Sequence, residues 1–508
     1  MIHKKSRLRR PARSAGLACA ALLGGCAVGP NFHQPKAPAV SSYTEKTLPA
    51  HTVSSTGVGG ASQALALGKT IDGEWWTLFH SEQINRLTRT ALANNPSLTA
   101  AQNALLAAKD TVRAQEGGFF PSLSGGFQAE RQRNPFSSPG AAKGGSAAIA
   151  PFSLLNASVS VTYAPDIFGG TRRQVESLRA QAQQQRFALE ATYLSLTANI
   201  VTAAITDASL KAQIAATNQI IAAEQHELDI LHRQVALGGV PAVDALTQEA
   251  QLAQTRATLP PLQSRLAQER NQLAAYEGIM PGQFHDPDLD LADITLPKTL
   301  PVSLPSELVR QRPDIRAAAA VLHQDTALVG VATANMLPQI TLSASVGHDA
   351  LTAATLFTPQ TLIWSLVAGV TQPLFEGGTL LYKRRAAVAT MREAAANYQN
   401  TVVLAFQNVS DALLALQYDA TALAADTAAE TSARASLAVV ENQYHLGGVS
   451  YTAVLTAEQT YQTAVIARIK ASAQRYADTA ALFQALGGGW WNRQDIAHDV
   501  RTCCGVLP

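Results

Sequence analysis

Thr171 to Leu237 is a run of 67 residues without a single glycine or proline, entered through Gly169-Gly170 and closed by Gly238-Gly239. Thr379 to Leu446 repeats the pattern over 68 residues, between Gly377-Gly378 and Gly447-Gly448. Globular helices run about 8 to 20 residues, so such runs point to coiled coils or extended helical arrays. At 1.5 Å per residue each would span roughly 100 Å. Two rods of that length cannot share one compact core, so the chain is organised around what lies at their ends.

Ahead of each rod the sequence alternates with period two, which predicts strands. Leu123, Gly125, Phe127 and Ala129 alternate with Ser122, Ser124, Gly126 and Gln128, and Leu155, Ala157, Val159, Val161 and Tyr163 alternate with Asn156, Ser158, Ser160 and Thr162. Ile340, Leu342, Ala344 and Val346 form a third such segment, and Trp364, Leu366, Ala368 and Val370 a fourth. About nine residues suffice for a tilted strand across a membrane, and a half-buried soluble hairpin is the other reading of the same pattern.

The two halves are a tandem repeat. Pro96 and Pro121 lie as far apart as Pro313 and Pro338, and Leu237-Gly-Gly-Val240 matches Leu446-Gly-Gly-Val449. The offset is 217 residues before the strands and 208 to 209 after them, so a shorter second hairpin loop absorbs the change. Each half therefore reads helix, strand, strand, long helix, return helix: repeat 1 over 73–280 and repeat 2 over 306–489, joined by a proline-rich linker at 281–305. Within the second rod Val402, Phe406, Val409, Leu413, Leu416 and Ala420 step by 4, 3, 4, 3, 4, the coiled-coil spacing.

The N-terminus carries a second set of signals. Residues 1–13 are basic, 14–23 are small or apolar, and Leu23-Gly24-Gly25-Cys26 follows. That is the layout of a secretory signal over 1–25, and Leu-Gly-Gly-Cys resembles the bacterial lipobox, in which the cysteine is acylated and becomes the mature N-terminus. An ordinary signal with an incidental cysteine is the alternative. By resemblance to bacterial lipoproteins, Ala27 in place of an aspartate favours the outer membrane. The formal charge of +2 belongs to this leader; without it 33 basic residues face 37 acidic ones, for a net −4. No basic patch suggests a nucleic-acid partner. Residues 27–72, rich in Pro, Gly, Ser and Ala, read as an extended surface segment. Cys503-Cys504 in the 490–508 tail has no metal or disulfide spacing.

Ala-Val-Gly-Pro-Asn-Phe after Cys26, Trp75-Trp76 and the Leu87–Pro96 stretch together resemble the outer-membrane factors of Gram-negative tripartite efflux pumps, in particular their NodT-like lipoprotein branch. The resemblance spans nearly all of 20–489. Four strands cannot close a barrel, since open edges are not tolerated in lipid; two copies would give eight strands and three would give twelve. The resemblance implies three: a mainly α chain with membrane β, a trimeric twelve-stranded outer-membrane β-barrel continued by a long periplasmic α-helical barrel. It implies a passive conduit with no cofactor beyond the lipid on Cys26, working as a homotrimer with a periplasmic adaptor and an inner-membrane pump.

Residue by residue, the resemblance places Asp244 on a constriction acid and Tyr444 on a tyrosine of the closing network. The turns at Gly238, Gly239, Gly447 and Gly448 become the adaptor-facing tips. The family's basic gate position is Val449 here, and its two selectivity acids are Ala453 and Thr456, which implies weaker cation selectivity. A charge at a helix N-terminus is the plain alternative for Asp244. An enzyme finds no support: there is no phosphate-cradling glycine loop, nucleophile elbow or zinc spacing, and His226 and His232 lie on different helix faces. A coiled-coil envelope lipoprotein leaves the four strands unexplained. A protein-secretion channel of the same fold is disfavoured by the lipobox; a copper-efflux channel stays open, although the four methionines form no cluster.

Overall fold

The computed structural model describes residues 27–133 and 151–493. Cys26, the leader and Cys503-Cys504 lie outside the described residues. In chain order the elements are β1 (Ala64–Leu67), α1 (Glu82–Asn94), α2 (Pro96–Glu116), β2 (Ser122–Gln132), β3 (Phe152–Tyr163), α3 (Gly170–Ala236) and α4 (Ala242–Glu277). Then come β4 (Thr299–Val302), α5 (Pro305–Gln311), α6 (Pro313–Ala334), β5 (Gln339–Ala350), β6 (Leu362–Thr371), α7 (Thr379–His445) and α8 (Tyr451–Ala485). From α1 and from α5 onward the element order is the same. The rods α3 and α7 are 67 residues each, and the return helices α4 and α8 are 36 and 35.

The compact units do not follow the repeats. One takes residues 106–183 and 319–396 with the N-terminal segment up to Gln34; the other takes 35–105, 184–318 and the chain from Asn397 on. Each unit thus draws on both halves of the sequence.

The first unit holds one antiparallel sheet in the order β2-β3-β5-β6. Its register sorts residues by face. Leu123, Val161, Ala344 and Leu366 are cross-strand partners, and so are Gly125, Val159, Val346 and Trp364. One residue along, Ser124, Ser160, Ser345 and Ser365 form a ladder across all four strands. Its outer pairs are hydroxyl–hydroxyl hydrogen bonds of 2.8 Å each. Asn156 donates to Asp349 on the same face at 2.6 Å. Side chains alternate across a strand, so one face is mostly apolar and the other mostly polar. The strands are 11, 12, 12 and 10 residues long, enough to cross a bilayer when tilted.

The second unit carries the apolar core. Trp75, Trp76, Phe79, Ile84 and Leu87 are buried with Ile200, Ile205, Leu413, Leu416, Tyr476 and Phe483. Trp75 stacks on Phe483 with ring centroids 5.3 Å apart. The seam read in the second rod is buried here, with Val402, Val409, Leu413, Leu416 and Ala420 all inside.

Two segments depart from the sequence expectation. The extended segment and the linker meet: β1 pairs in parallel with β4, Ala64 opposite Thr299 through Leu67 opposite Val302. Leu289, Leu291, Ile294 and Leu296 of the linker are buried. The buried Arg475 guanidinium fixes the loop before β1, donating to the carbonyls of Gly59 at 2.6 Å and Ala61 at 3.0 Å. Of the tail, Trp490 is buried and its indole N–H donates to the Gln311 carbonyl at 2.6 Å. An 18-residue window of α3 reaches the mean hydropathy of a membrane span, 1.2, but 56% of it is buried inside the protein.

Candidate functional site at the helical turns

Both rods end in the same hydrogen-bonded turn. Gly238 sits at φ 72° and Gly447 at φ 74°, the left-handed region. Gly238 N–H donates to Val235 O at 3.0 Å and Gly239 N–H to Gln234 O at 2.8 Å; Gly447 and Gly448 repeat this on Tyr444 at 2.9 Å and Gln443 at 2.8 Å. This is the Schellman pattern, which satisfies the last carbonyls of a helix. The two glycines of each pair differ in what they do. Only the first needs a positive φ; a Cβ on Gly239 or Gly448 would rest 3.4 Å from a carbonyl oxygen. Leu237 and Leu446, each 87% exposed, project beside the turns.

Behind the turns the four helices close on a small core. Leu228 and Leu231 of α3, Ala245 and Leu252 of α4, and Tyr451, Val454 and Leu455 of α8 are buried, with Val440 and Tyr444 of α7 packed against them. Asp244 lies half-buried in the first turn of α4, its N–H on Pro241 O at 3.1 Å. The Tyr444 ring lies 5.4 Å from that of Tyr451. Burial first, then the charges of Asp244 and Glu227, push the Tyr444 phenol above its ordinary range. Asp244 and Tyr444 thus share one electrostatic environment without a hydrogen bond between them, and the Tyr444 hydroxyl, like that of Tyr451, is buried with no partner in the described chain. Val449 and Ala453 are half-buried, and Thr456 is exposed with its hydroxyl on Thr452 O at 2.9 Å.

The sequence reading missed a layer of carboxylates next to this core. Glu224 is 1% exposed. One of its oxygens accepts from Thr255 at 2.9 Å, Gln462 at 2.7 Å and Gln251 at 3.3 Å, while the other has no partner. Glu458 faces the same region. Burial, then the charges of Glu224, Glu227 and Glu441, push its carboxyl up to about 7. A signal was available: Thr217, Ile221, Glu224, Leu228, Leu231 and Val235 step by 4, 3, 4, 3, 4, which puts Glu224 on a coiled-coil core position. Among the described residues no group of three or more acids, histidines or cysteines could hold a metal ion.

The arrangement is a turn-capped four-helix end with polar groups buried in it. A family model described as "Outer membrane efflux protein" matches residues 87–278 and 304–488. The chain belongs to the outer membrane efflux protein family. The outer membrane protein OprJ of Pseudomonas aeruginosa is 28% identical over 492 residues, covering 95% of this chain and 97% of that one. The toluene efflux pump outer membrane protein TtgC of Pseudomonas putida is 26% identical over 481 residues, covering 94% and 95%. The solved outer-membrane channel OprN superposes with a TM-score of 0.82 at 25% identity, over 92% of this chain and all of that one. The channel is accordingly an outer-membrane component of an efflux system, and its fold matches that of a solved channel.

Two tests bear on this end. Alanine at Gly238 must adopt a conformation that costs an L-residue about 1–2 kcal/mol, so amide exchange around residues 235–240 should quicken about fivefold to thirtyfold. Alanine at Gly239 should leave it nearly unchanged. The second test uses pH. Glu458 titrates higher in the folded channel than in an unfolded chain, so folding is favoured at low pH. That contribution is lost as pH rises from the ordinary glutamate range through about 7. The melting temperature should fall between pH 5 and 8, and Glu458→Gln should remove part of the fall. Asp478, pushed up to about 7 by burial and by Asp419, supplies another part.

Proposed function

We propose that three copies join their four-stranded sheets into a twelve-stranded barrel in the outer membrane, with the rods forming a helical conduit in the periplasm. The observation that carries this is the sheet: one face apolar, the other a ladder of serines, and both outer strands, β2 and β6, without a partner among the described residues. A lipid-facing surface and a wet lumen ask for that division, and edges in lipid must be paired. Three copies follow the family's pattern of assembly.

On this reading the channel is passive. It takes small molecules handed over by an inner-membrane pump through a periplasmic adaptor, as efflux of toluene is ascribed to the system of TtgC. Acylated Cys26 anchors each copy to the outer membrane. The turns at Gly238-Gly239 and Gly447-Gly448, with Leu237 and Leu446 exposed beside them, face the adaptor. Asp244 and Tyr444 narrow the periplasmic end. Because Val449, Ala453 and Thr456 stand where the family carries its basic gate residue and two acids, closure rests on packing around Tyr444 and Tyr451, and cation selectivity is weak.

The native mass of the full-length protein in mild detergent tests the assembly and the anchor together. A trimer with acyl chains on every copy is the expected result; a soluble monomer or an unlipidated dimer rejects it. Asp244→Ala should raise passive leak through the purified trimer in a planar bilayer. An unaltered leak would remove Asp244 from the constriction.

A further inference from the structure

The six residues after Cys26 sit in a site built for them in the first unit. Val28 N–H donates to the Phe168 carbonyl at 3.1 Å. Arg173, 4% exposed, donates through Nε to Val28 O at 3.1 Å, and through Nη2 to Asn31 Oδ1 at 2.7 Å and Gly29 O at 3.4 Å. Its remaining nitrogen, Nη1, donates to Glu176 at 2.7 Å. Glu176 also contacts His323 Nε2 at 3.0 Å, and the His323 ring stacks on Phe32 with centroids 4.4 Å apart. Burial opposes ionisation of Glu176, but its contacts with His323 and Arg173 outweigh this and hold its carboxyl below the usual range.

The glycines around this site leave it room. Gly330 lies inside α6, where glycine costs about 1 kcal/mol against alanine. A Cβ there would come within 2.8 Å of Arg173 Cγ and 2.9 Å of Val28 O. Gly29, at φ +92°, passes so close that a Cβ on it would lie 2.5 Å from Gly330 Cα, and a Cβ on Gly169 would lie 2.6 Å from Ala27 Cα. Ala-Val-Gly-Pro-Asn-Phe is therefore a ligand sequence: two carbonyls, one amide side chain and one ring are read, and Gly29 allows the approach.

Reach decides what such a site can do. Beyond Phe32 the next long-range side-chain hydrogen bond along the chain is Tyr43 OH to Ser303 O at 2.9 Å. Without the clamp, an anchor on Cys26 would trail on a leash of about 17 residues, roughly 60 Å when extended. That is about twice the hydrocarbon thickness of a bilayer, so the lipid would constrain neither distance nor orientation. With the clamp, the anchor Cα is one peptide, about 3.8 Å, from Ala27, which abuts Gly169 just past the end of β3. We propose that Arg173, Glu176, His323, Gly169 and Gly330 form a docking site for the chain's own acylated N-terminus, holding the foot of the sheet at the membrane surface in the orientation from which the barrel inserts. This rests on the acylation of Cys26 proposed above and adds to it the site that gives the anchor leverage.

The test is the rate of trimer formation in cells by pulse-chase, with the full-length chain. Asn31→Ala/Phe32→Ala removes the ligand side chains and leaves the platform intact. Trimer formation should slow at least fivefold, and Asn31→Asp/Phe32→Tyr, which keeps an acceptor and a ring, should restore most of the rate. In a Cys26→Ser background, itself slow, the alanine pair should slow assembly no further. Equal slowing with and without the lipid would mean that the clamp serves only local folding and would overturn the proposal, as would no slowing at all. The mass of Cys26 is read first: an unacylated cysteine refutes the anchor itself, and this proposal with it.

Discussion

A strand edge cannot be left open in hydrocarbon, because each unpaired backbone group there costs several kcal/mol. Among the described residues the sheet has two open edges, β2 and β6, and one face studded with Leu123, Phe127, Trp364 and Leu366 that suits lipid rather than water. In the proposed barrel four strands per copy are thus incomplete alone, and assembly is a requirement of backbone chemistry. In the proposed barrel the same sheet fixes the lumen. Alternation by one residue turns Ser124, Ser160, Ser345 and Ser365 to the face opposite the apolar one, so a one-residue slip of any strand would exchange the two surfaces.

The tandem repeat shows how one design serves two surroundings. The loop leading into each rod starts at a proline and ends in Gly-Gly: Pro165 to Gly170 in the first half, Pro373 to Gly378 in the second. In the first, Gly169 is pressed by Ala27 and Phe168 accepts from Val28. In the second, Gly377 has open space around it, and Leu374 and Phe375 are 91% and 89% exposed. Among the described residues only the first of the two loops is covered by its own chain. The duplicated loops have diverged through what lies against them, while the strand and helix order that frames them stayed the same.

What could be read in advance divides along physical lines. The rods and strands were legible because hydrophobic period and the placement of Gly and Pro are local signals; the rod boundaries fall within a residue of those expected. The β1–β4 pairing was not, because Ala64–Leu67 and Thr299–Val302 are four-residue strands lying in proline- and glycine-rich stretches. Only tertiary context makes them strands. Asp244 and Tyr444 came from a resemblance, whereas Tyr451 and Glu458 are defined by packing across four helices. Glu224 lay between these cases. Its heptad position was visible, but a single polar residue in a long alanine-rich rod carries little weight until Gln251, Thr255 and Gln462 are seen to converge on it.

That convergence bears on why the helical end is not simply sealed with leucine. An apolar seam between long helices is stable but permits register slips, and a buried polar residue fixes register at a cost in stability. Glu224 of α3 accepts from Gln251 and Thr255 of α4 and from Gln462 of α8, so one side chain sets the axial alignment of three helices. The cost shows in the oxygen of Glu224 and that of Glu458 that are buried without a partner, and in the charges of Glu224, Glu227 and Glu441 that bear on Glu458. A leucine at position 224 would bind the helices more tightly and align them less strictly. The proposed constriction needs alignment, because turns that narrow a conduit must arrive at the same level, and it needs only modest cohesion if those helices are to part.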